Sequence, residues 1–360
     1  MGGSLRAVFP EIYRTLLPGF FDHEAPREEK ATCESCAMCA PPGTPPAEEV
    51  VYFRPDAKCC TYQPVLPNYL VGAILADERE DMAEGKRRIR ERIAARTGVS
   101  PQWVAPSRKM DVLMRATRRT AFGRSLLLLC PYFDRAQLNC TIWRHRESVC
   151  TTFFCKYSRG ADGETFWRTL RYYTVWVEAT LSARAAQSVL PGHSEARPAS
   201  GDMLLEELED RPPPEGAYAA LWKDWAGREE ELYLRCFEWV RSLGREGFEA
   251  VTQHPEHATR LEDLAAAREA MLHPKLPERL VPNPEMASKA TADGVLVTSY
   301  SRYEPLMLTR DLFEVLRVFG EGGTVAEVRA RLAREHGVEV PDELLIGLYQ
   351  FRVLVPPGQE

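Results

Sequence analysis

Nine of the ten cysteines of this chain fall between Cys33 and Cys155, and only Cys236 lies outside. Three of them form Cys33-x2-Cys36-x2-Cys39, and the adjacent pair Cys59-Cys60 follows after nineteen residues. A loop of that spacing brings three thiolates to one point and leaves a coordination position that Cys59 or Cys60 can fill. Neighbouring residues tend to point apart, so one of the pair rather than both is expected there. Ferredoxin-type [4Fe–4S] sites share the spacing but continue with Cys-Pro after three residues, where this chain has Ala40-Pro41-Pro42. Zinc accepts the same ligands. A second group, Cys130-x9-Cys140-x9-Cys150-x4-Cys155, supplies four thiolates, enough for one tetrahedral site. Spacing alone leaves the sharing of ligands between the groups open.

Charge is distributed as unevenly as sulfur. The chain carries a formal −6, yet Lys86 to Arg146 holds 15 Lys or Arg against Glu91, Asp111 and Asp134. That local +12 leaves −18 for the remainder. A tetrathiolate zinc site or a [4Fe–4S] cluster carries about −2, and Arg144, Arg146, Lys156 and Arg159 flank the last cysteines. The same stretch also reads as a solvated helix face, or as a nucleic-acid surface over Lys86–Arg96 and Arg115–Arg124.

Other chemistry is sparse. No GxxxxGK[ST], GxGxxG or HExxH motif occurs, and no nucleophile elbow, general base or substrate pocket can be named. Enzymatic activity is therefore left open. His254 and His257 are three apart but flank Pro255 and read as a surface loop. The longest apolar run, Leu126–Cys130, falls far short of the roughly 20 residues of a membrane span. With 44% hydrophobic and 27% charged residues and no visible export signal, the expected address is the cytoplasm, where clustered cysteines bind metal or do redox chemistry more often than they form disulfides.

The elements that must carry these residues are mainly helical. A short helix is expected over Leu5–Leu17. Asn68 is placed to cap an apolar segment from Tyr69 to Ala76 that leads into a charged helix through Arg96. Helical periodicity runs from Glu164 to Leu190 and again from Tyr218 to Leu243, where Leu221, Trp225, Leu232, Cys236 and Val240 share a face. Cys236 is thus expected in the core, as are Trp222, Trp225 and Trp239. At the C-terminus, Leu296–Thr298 and Leu306–Leu308 suggest a hairpin. A helix from Thr309 follows, then a capping box Thr324–Glu327, a stop at Gly337, a helix after Pro341 and a strand at Val353–Val355. The expected class is mainly α: a cysteine-rich metal-binding domain with irregular loops over 1–160, a helical region over 161–290 with a linker near 191–215, and a small winged-helix-like domain over 294–360.

Cys130-Pro-Tyr-Phe-Asp134, Asn139-Cys140-Thr-Ile-Trp143-Arg144 and Cys150-Thr-Thr-Phe-Phe-Cys155 together resemble the YkgJ-type cysteine-cluster family, a zinc- or iron-chelating domain. The resemblance spans about 33–157 and implies a metal site without implying a reaction. The family closes its CxxCxxCC run with a double cysteine, whereas here Cys39 stands alone and Cys59-Cys60 comes later. His145 occupies the place near which the family has a proline. The region from Gly294 to Pro356 is similar in pattern to PqqD-like winged-helix modules, which implies a peptide or protein partner adding as a strand beside Val297. From Gly294 to Glu360, 7 Arg against 10 acidic residues argue against DNA.

The expected ligands are accordingly Cys33, Cys36, Cys39, Cys59, Cys60, Cys130, Cys140, Cys150 and Cys155. They serve one or two sites, with an iron–sulfur cluster of [4Fe–4S] type ahead of zinc. The expected role is redox chemistry or peptide modification; the alternative is a zinc-stabilised protein- or peptide-binding module without catalysis. Neither a membrane nor nucleic acid is expected as partner.

Overall fold

A computed structural model of the chain describes residues 3–28, 35–40, 50–193 and 203–358. Helix accounts for 54% against 9% strand, so the mainly α class holds. The described residues gather into two compact units that interleave along the chain, one from 1–26, 52–153 and 171–261, the other from 27–51, 154–170 and 262–360. No helix among the described residues is long and apolar enough to cross a membrane.

The first unit opens with 3-10 turns at Leu5–Val8, Glu11–Arg14 and Gly19–Asp22 instead of one helix over Leu5–Leu17. Pro10 lacks the N–H that would continue a ladder. Strand β1 (Leu66–Pro67) leads into α1 (Asn68–Ala76), which is followed by α2 (Ala83–Ala95), β2 (Trp103–Val104) and α3 (Arg108–Ala121). A two-residue ladder, β3 (Phe133–Asp134) with β4 (Asn139–Cys140), precedes the five-residue α4 (Ser148–Thr152). Then come α5 (Gly160–Val189), α6 (Leu205–Leu208), α7 (Glu215–Trp222), α8 (Glu229–Ser242), α9 (Gly244–Val251) and α10 (Pro255–Leu272).

Asn68 does not cap α1. Its Nδ2 donates to the carbonyls of Pro101 and Ser182, both at 3.0 Å, and its Oδ1 accepts from Tyr69 N at 2.8 Å. The residue is buried and ties three segments together. The helix expected over Tyr218–Leu243 is broken between α7 and α8, where Lys223 and Gly227 both have positive φ. Cys236 and Trp222 are core residues as expected, while Trp225 and Trp239 are half-buried. Helix α1 is buried over Asn68–Leu75 and packs closely on α8. Gly72 makes that approach possible, since a Cβ there would lie 2.1 Å from the Tyr233 carbonyl oxygen.

In the second unit, β5 (Val281–Pro282) pairs with the C-terminal strand, and β6 (Ala287–Ala290), β7 (Val295–Thr298) and β8 (Leu306–Leu308) form an antiparallel sheet with β7 central. Helices α11 (Arg310–Gly320), α12 (Val325–Arg331) and α13 (Asp342–Gln350) and strand β9 (Leu354–Val355) follow. The expected hairpin is β7–β8. Thr309 caps α11 and the Thr324–Glu327 capping box opens α12, with both reciprocal bonds made. Strand β6 was not expected. All four of its residues, Ala-Ser-Lys-Ala, are exposed, so no alternation marks it. Val297, Phe319, Val328, Leu345 and Leu354 lie at the centre of this unit's core.

Valine at position 72 is expected to destabilise the protein by about 3 kcal/mol through overpacking. Urea unfolding reads this directly, and an unchanged midpoint would show that α1 can move away from α8 without loss.

Candidate metal centre

The Cys59–Cys60 pair sits in a run of turns from 55 to 61. Ala57 N and Lys58 N both donate to the Arg54 carbonyl, Cys60 N donates to Ala57 O, and Lys58 adopts φ +51. In so tight a turn successive side chains do not alternate as they do in a strand. The Cys60 thiol donates to the Cys59 sulfur, so the two converge, contrary to the sequence expectation that they would point apart. Side chains tie this turn to the β3–β4 loop: Arg135 pairs with Asp56 at 3.0 Å, and Lys58 Nζ donates to Leu138 O at 2.9 Å.

Backbone bonds bring the next cysteines to the pair. Cys130 N donates to Cys60 O at 2.7 Å, and Phe133 N donates to Cys130 O at 3.0 Å. Phe133 lies opposite Cys140 in the β3–β4 ladder. Arg88 of α2 fixes the intervening loop by donating to the carbonyls of Pro131 and Phe133, each at 2.8 Å. Cys150 arrives on α4, whose N-terminus is capped by Glu147. That carboxylate accepts from Val149 N at 2.6 Å and Cys150 N at 3.0 Å.

Cys59, Cys60, Cys130, Cys140 and Cys150 therefore gather from separate stretches of one unit, Cys130 buried and the others half-buried. Their sulfurs lie within electrostatic reach of one another. The bond from Cys60 outweighs burial and lowers the Cys59 thiol to about 7. Cys60 is pushed far up by its bond to Cys59, by burial and by the charges of Cys59, Cys130 and Cys140. Burial raises Cys130, with Cys140 adding to it. Burial likewise raises Cys150, helped by Glu147, Cys130 and Cys140. No three His, Cys, Asp or Glu side chains among the described residues already converge at chelating distance.

Beneath α4 lies a buried polar network that the sequence did not reveal. Glu178 of α5 accepts from Ser148 N at 2.9 Å and from the Tyr13 hydroxyl at 3.1 Å, and Tyr13 shares a 2.6 Å bond with the Tyr69 hydroxyl. Burial raises the Glu178 carboxyl well above its ordinary range, and Glu147 raises it further. Arg171 donates to Thr152 Oγ1 and its carbonyl, both at 3.2 Å, closing the C-terminal side of α4. A Glu in the middle of an apolar helical face, at 178, was the available signal.

The second unit holds Cys36, Cys39 and Cys155. Cys39 N donates to Cys36 O at 3.0 Å, which closes the turn of the described part of the first motif. Cys33 and the proline-rich stretch Pro41–Pro46 lie outside the described residues. Beyond Cys155, Tyr157 N donates to Glu304 at 3.0 Å and Ser158 N to Glu28 at 2.6 Å, while Trp167 Nε1 donates to the other oxygen of Glu28 at 2.8 Å.

The basic stretch is largely engaged. Arg90 reaches Glu230 at 3.2 Å, Arg96 reaches Glu215 at 2.6 Å, and Arg87 and Arg88 share Glu84. His145 ends the 3-10 turn Trp143–His145. It is buried and bonds Asp77 at 2.8 Å; burial lowers its pKa and the Asp77 carboxylate counters this. His257 lies in the first turn of α10, while His254 is exposed just before the helix. Pro255 suits a first helical turn, where its missing N–H costs nothing. His257 stacks on Trp176 with ring centroids 5.5 Å apart and bonds the Tyr173 hydroxyl at 2.9 Å.

Comparison with known proteins adds no assignment: no family model, curated protein or solved structure matches the chain.

The Glu178 network yields a pH signature. A raised carboxyl pKa means the folded state holds the proton more tightly than the unfolded chain, whose Glu titrates near about 4.3. Stability then falls as pH rises from that value through the folded pKa. Glu178→Gln retains an acceptor for Tyr13 and Ser148 but cannot ionise. Its stability relative to the unsubstituted protein is expected to rise between pH 4 and 8, measured by urea unfolding at each pH. The opposite slope would show that Glu178 is ionised in the fold.

Proposed function

We propose that the chain is a cysteine-cluster metal-binding protein of YkgJ type that ligates iron–sulfur through Cys33, Cys36, Cys39, Cys59, Cys60, Cys130, Cys140, Cys150 and Cys155. The observation that carries this reading is the gathering of five thiols of one unit within electrostatic reach of one another. Soft sulfur donors suit iron–sulfur clusters and zinc and do not suit calcium or magnesium. Thiols whose neighbours raise their pKa values are poor places for bare charge and good places for a cation, which relieves the repulsion as each proton leaves.

Held there, an iron–sulfur cluster supplies one-electron transfer. The chain's own residues would do the rest. Arg146 and Lys58 act on Cys59, and Arg88 on Cys130, as positive charges that offset ligand charge. Glu147 and the Cys60–Cys130 backbone bond hold Cys150 and Cys130 in place, which a cluster with fixed edge lengths requires.

A second reading rests on the irregularity of the cysteine-bearing loops. Strands β1 to β4 are two residues each, so zinc thiolates could stabilise this region without any redox role. In either case the second unit supplies the partner surface. We read its sheet and three helices as a winged-helix-like, PqqD-like module, to which a peptide strand would add at β6 or β8, since β7 is paired on both sides.

Protein purified without oxygen decides between the readings. A broad band near about 400 nm with about four irons per cluster is expected for iron–sulfur. Zinc with no visible band would establish the structural alternative, and titratable thiols with neither metal would refute both.

A further inference from the structure

Cys59 and Cys60 place two thiols on consecutive residues of one turn. Backbone bonds pin that turn on both sides of the pair: Cys60 N donates to Ala57 O at 3.0 Å, Tyr62 N to Cys59 O at 3.3 Å, and Cys130 N to Cys60 O at 2.7 Å. With Lys58 at φ +51 ahead of them, the two side chains turn the same way, and the Cys60 thiol donates to the Cys59 sulfur. Cys130 and Cys140 act on Cys60 through charge. Both residues of the pair are half-buried, so neither is sealed from a small solute.

We propose that Cys59 and Cys60 form a redox-active pair, which a peroxide oxidises to a disulfide between adjacent residues and a thiol reductant restores. Peroxide transfers one oxygen to the first sulfur that attacks it, giving a sulfenic acid and one water. The neighbouring thiol then displaces that oxygen, forming the S–S bond and releasing a second water. The pair gives up two protons and two electrons, and the peroxide is reduced to two waters. A sulfenic acid already in contact with a thiol is resolved before more oxidant arrives, which spares it the irreversible steps to sulfinic and sulfonic acid.

Position also makes the oxidised form easy to reverse. Adjacent α-carbons lie about 3.8 Å apart across a trans peptide, short of the roughly 4.4–6.8 Å that disulfides favour. The closed ring is therefore strained, and strained disulfides are the readily reduced ones. The strain falls on the peptide between the two residues, whose N–H and C=O bond Ala57 and Tyr62. The inference goes beyond the metal-binding reading and does not rest on it.

Trypsin isolates the pair for testing. Cleavage after Lys58 and Arg79 leaves both thiols on the peptide Cys59–Arg79, which contains no other cysteine. The full-length protein is treated with hydrogen peroxide, blocked with iodoacetamide, digested and weighed by mass spectrometry. The peptide is expected unalkylated and lighter by two hydrogens, and dithiothreitol before blocking is expected to return the doubly alkylated form. Both cysteines alkylated after peroxide, or oxidised to a sulfinic acid that dithiothreitol leaves unchanged, would overturn the proposal. So would a bond from this peptide to Ser125–Arg135, Ala136–Arg144 or Glu147–Lys156, which carry Cys130, Cys140 and Cys150 with Cys155. Iron and zinc assayed on the untreated sample keep the two readings apart. The disulfide formed in a metal-free protein sustains the redox pair and removes the metal, whereas a metal-loaded protein whose pair resists peroxide does the opposite.

Discussion

In the first unit, carbonyl and amide groups of the loops draw five thiols into a region that water only partly reaches. Sulfurs so close cannot all be thiolates together, because each charge raises the cost of the next and burial raises the cost of all. Burial and the neighbouring thiols accordingly push Cys130 and Cys150 up, while Cys59 and Cys60 shift each other in opposite directions, Cys59 down and Cys60 up. The backbone around them must stay irregular to turn so many side chains the same way. Helix α4 is accordingly short and needs the Glu147 cap, and the ladder at Cys140 is only two residues long.

Holding irregular loops in place falls to groups outside them. Arg88 reaches from α2 to two loop carbonyls, and Glu178 reaches from α5 to the first amide of α4. The close packing of α1 on α8 at Gly72 provides the rigid body from which this side of the unit is built. The arginines that make the front half of the chain basic are mostly engaged within the protein, on carboxylates of α2, α7 and α8 and on carbonyl oxygens.

Much of the second unit could be read directly, because its signals are local. Thr309, the Thr324–Glu327 box and Gly337 each act through groups within a few residues, and β7–β8 alternates within its own length. The cysteines announced a metal-type chemistry for the same reason: residue type and spacing suffice. What could not be read was non-local. Nothing near Cys155 in sequence indicates that Glu28 and Glu304 would bind the amides beyond it, and nothing near Cys60 points to Cys130. The break after α7 escaped notice because Leu221, Trp225 and Leu232 keep helical spacing across a gap containing Gly227. Strand β6, exposed throughout, had no pattern to read.

The amide of Asn68 also bears on how this protein ages chemically. Asparagine deamidates when the next backbone nitrogen attacks its side-chain carbonyl, a step that needs freedom of both groups. Here the Tyr69 N–H is already bonded to Oδ1 and Nδ2 is held by two carbonyl oxygens in a buried setting. Hydrolysis to aspartate would replace that double donor with an acceptor facing Pro101 O and Ser182 O, leaving three oxygens opposed where two hydrogen bonds stood. The same contacts that would make the conversion so damaging also keep the reacting atoms from meeting, so this asparagine should outlast the exposed ones.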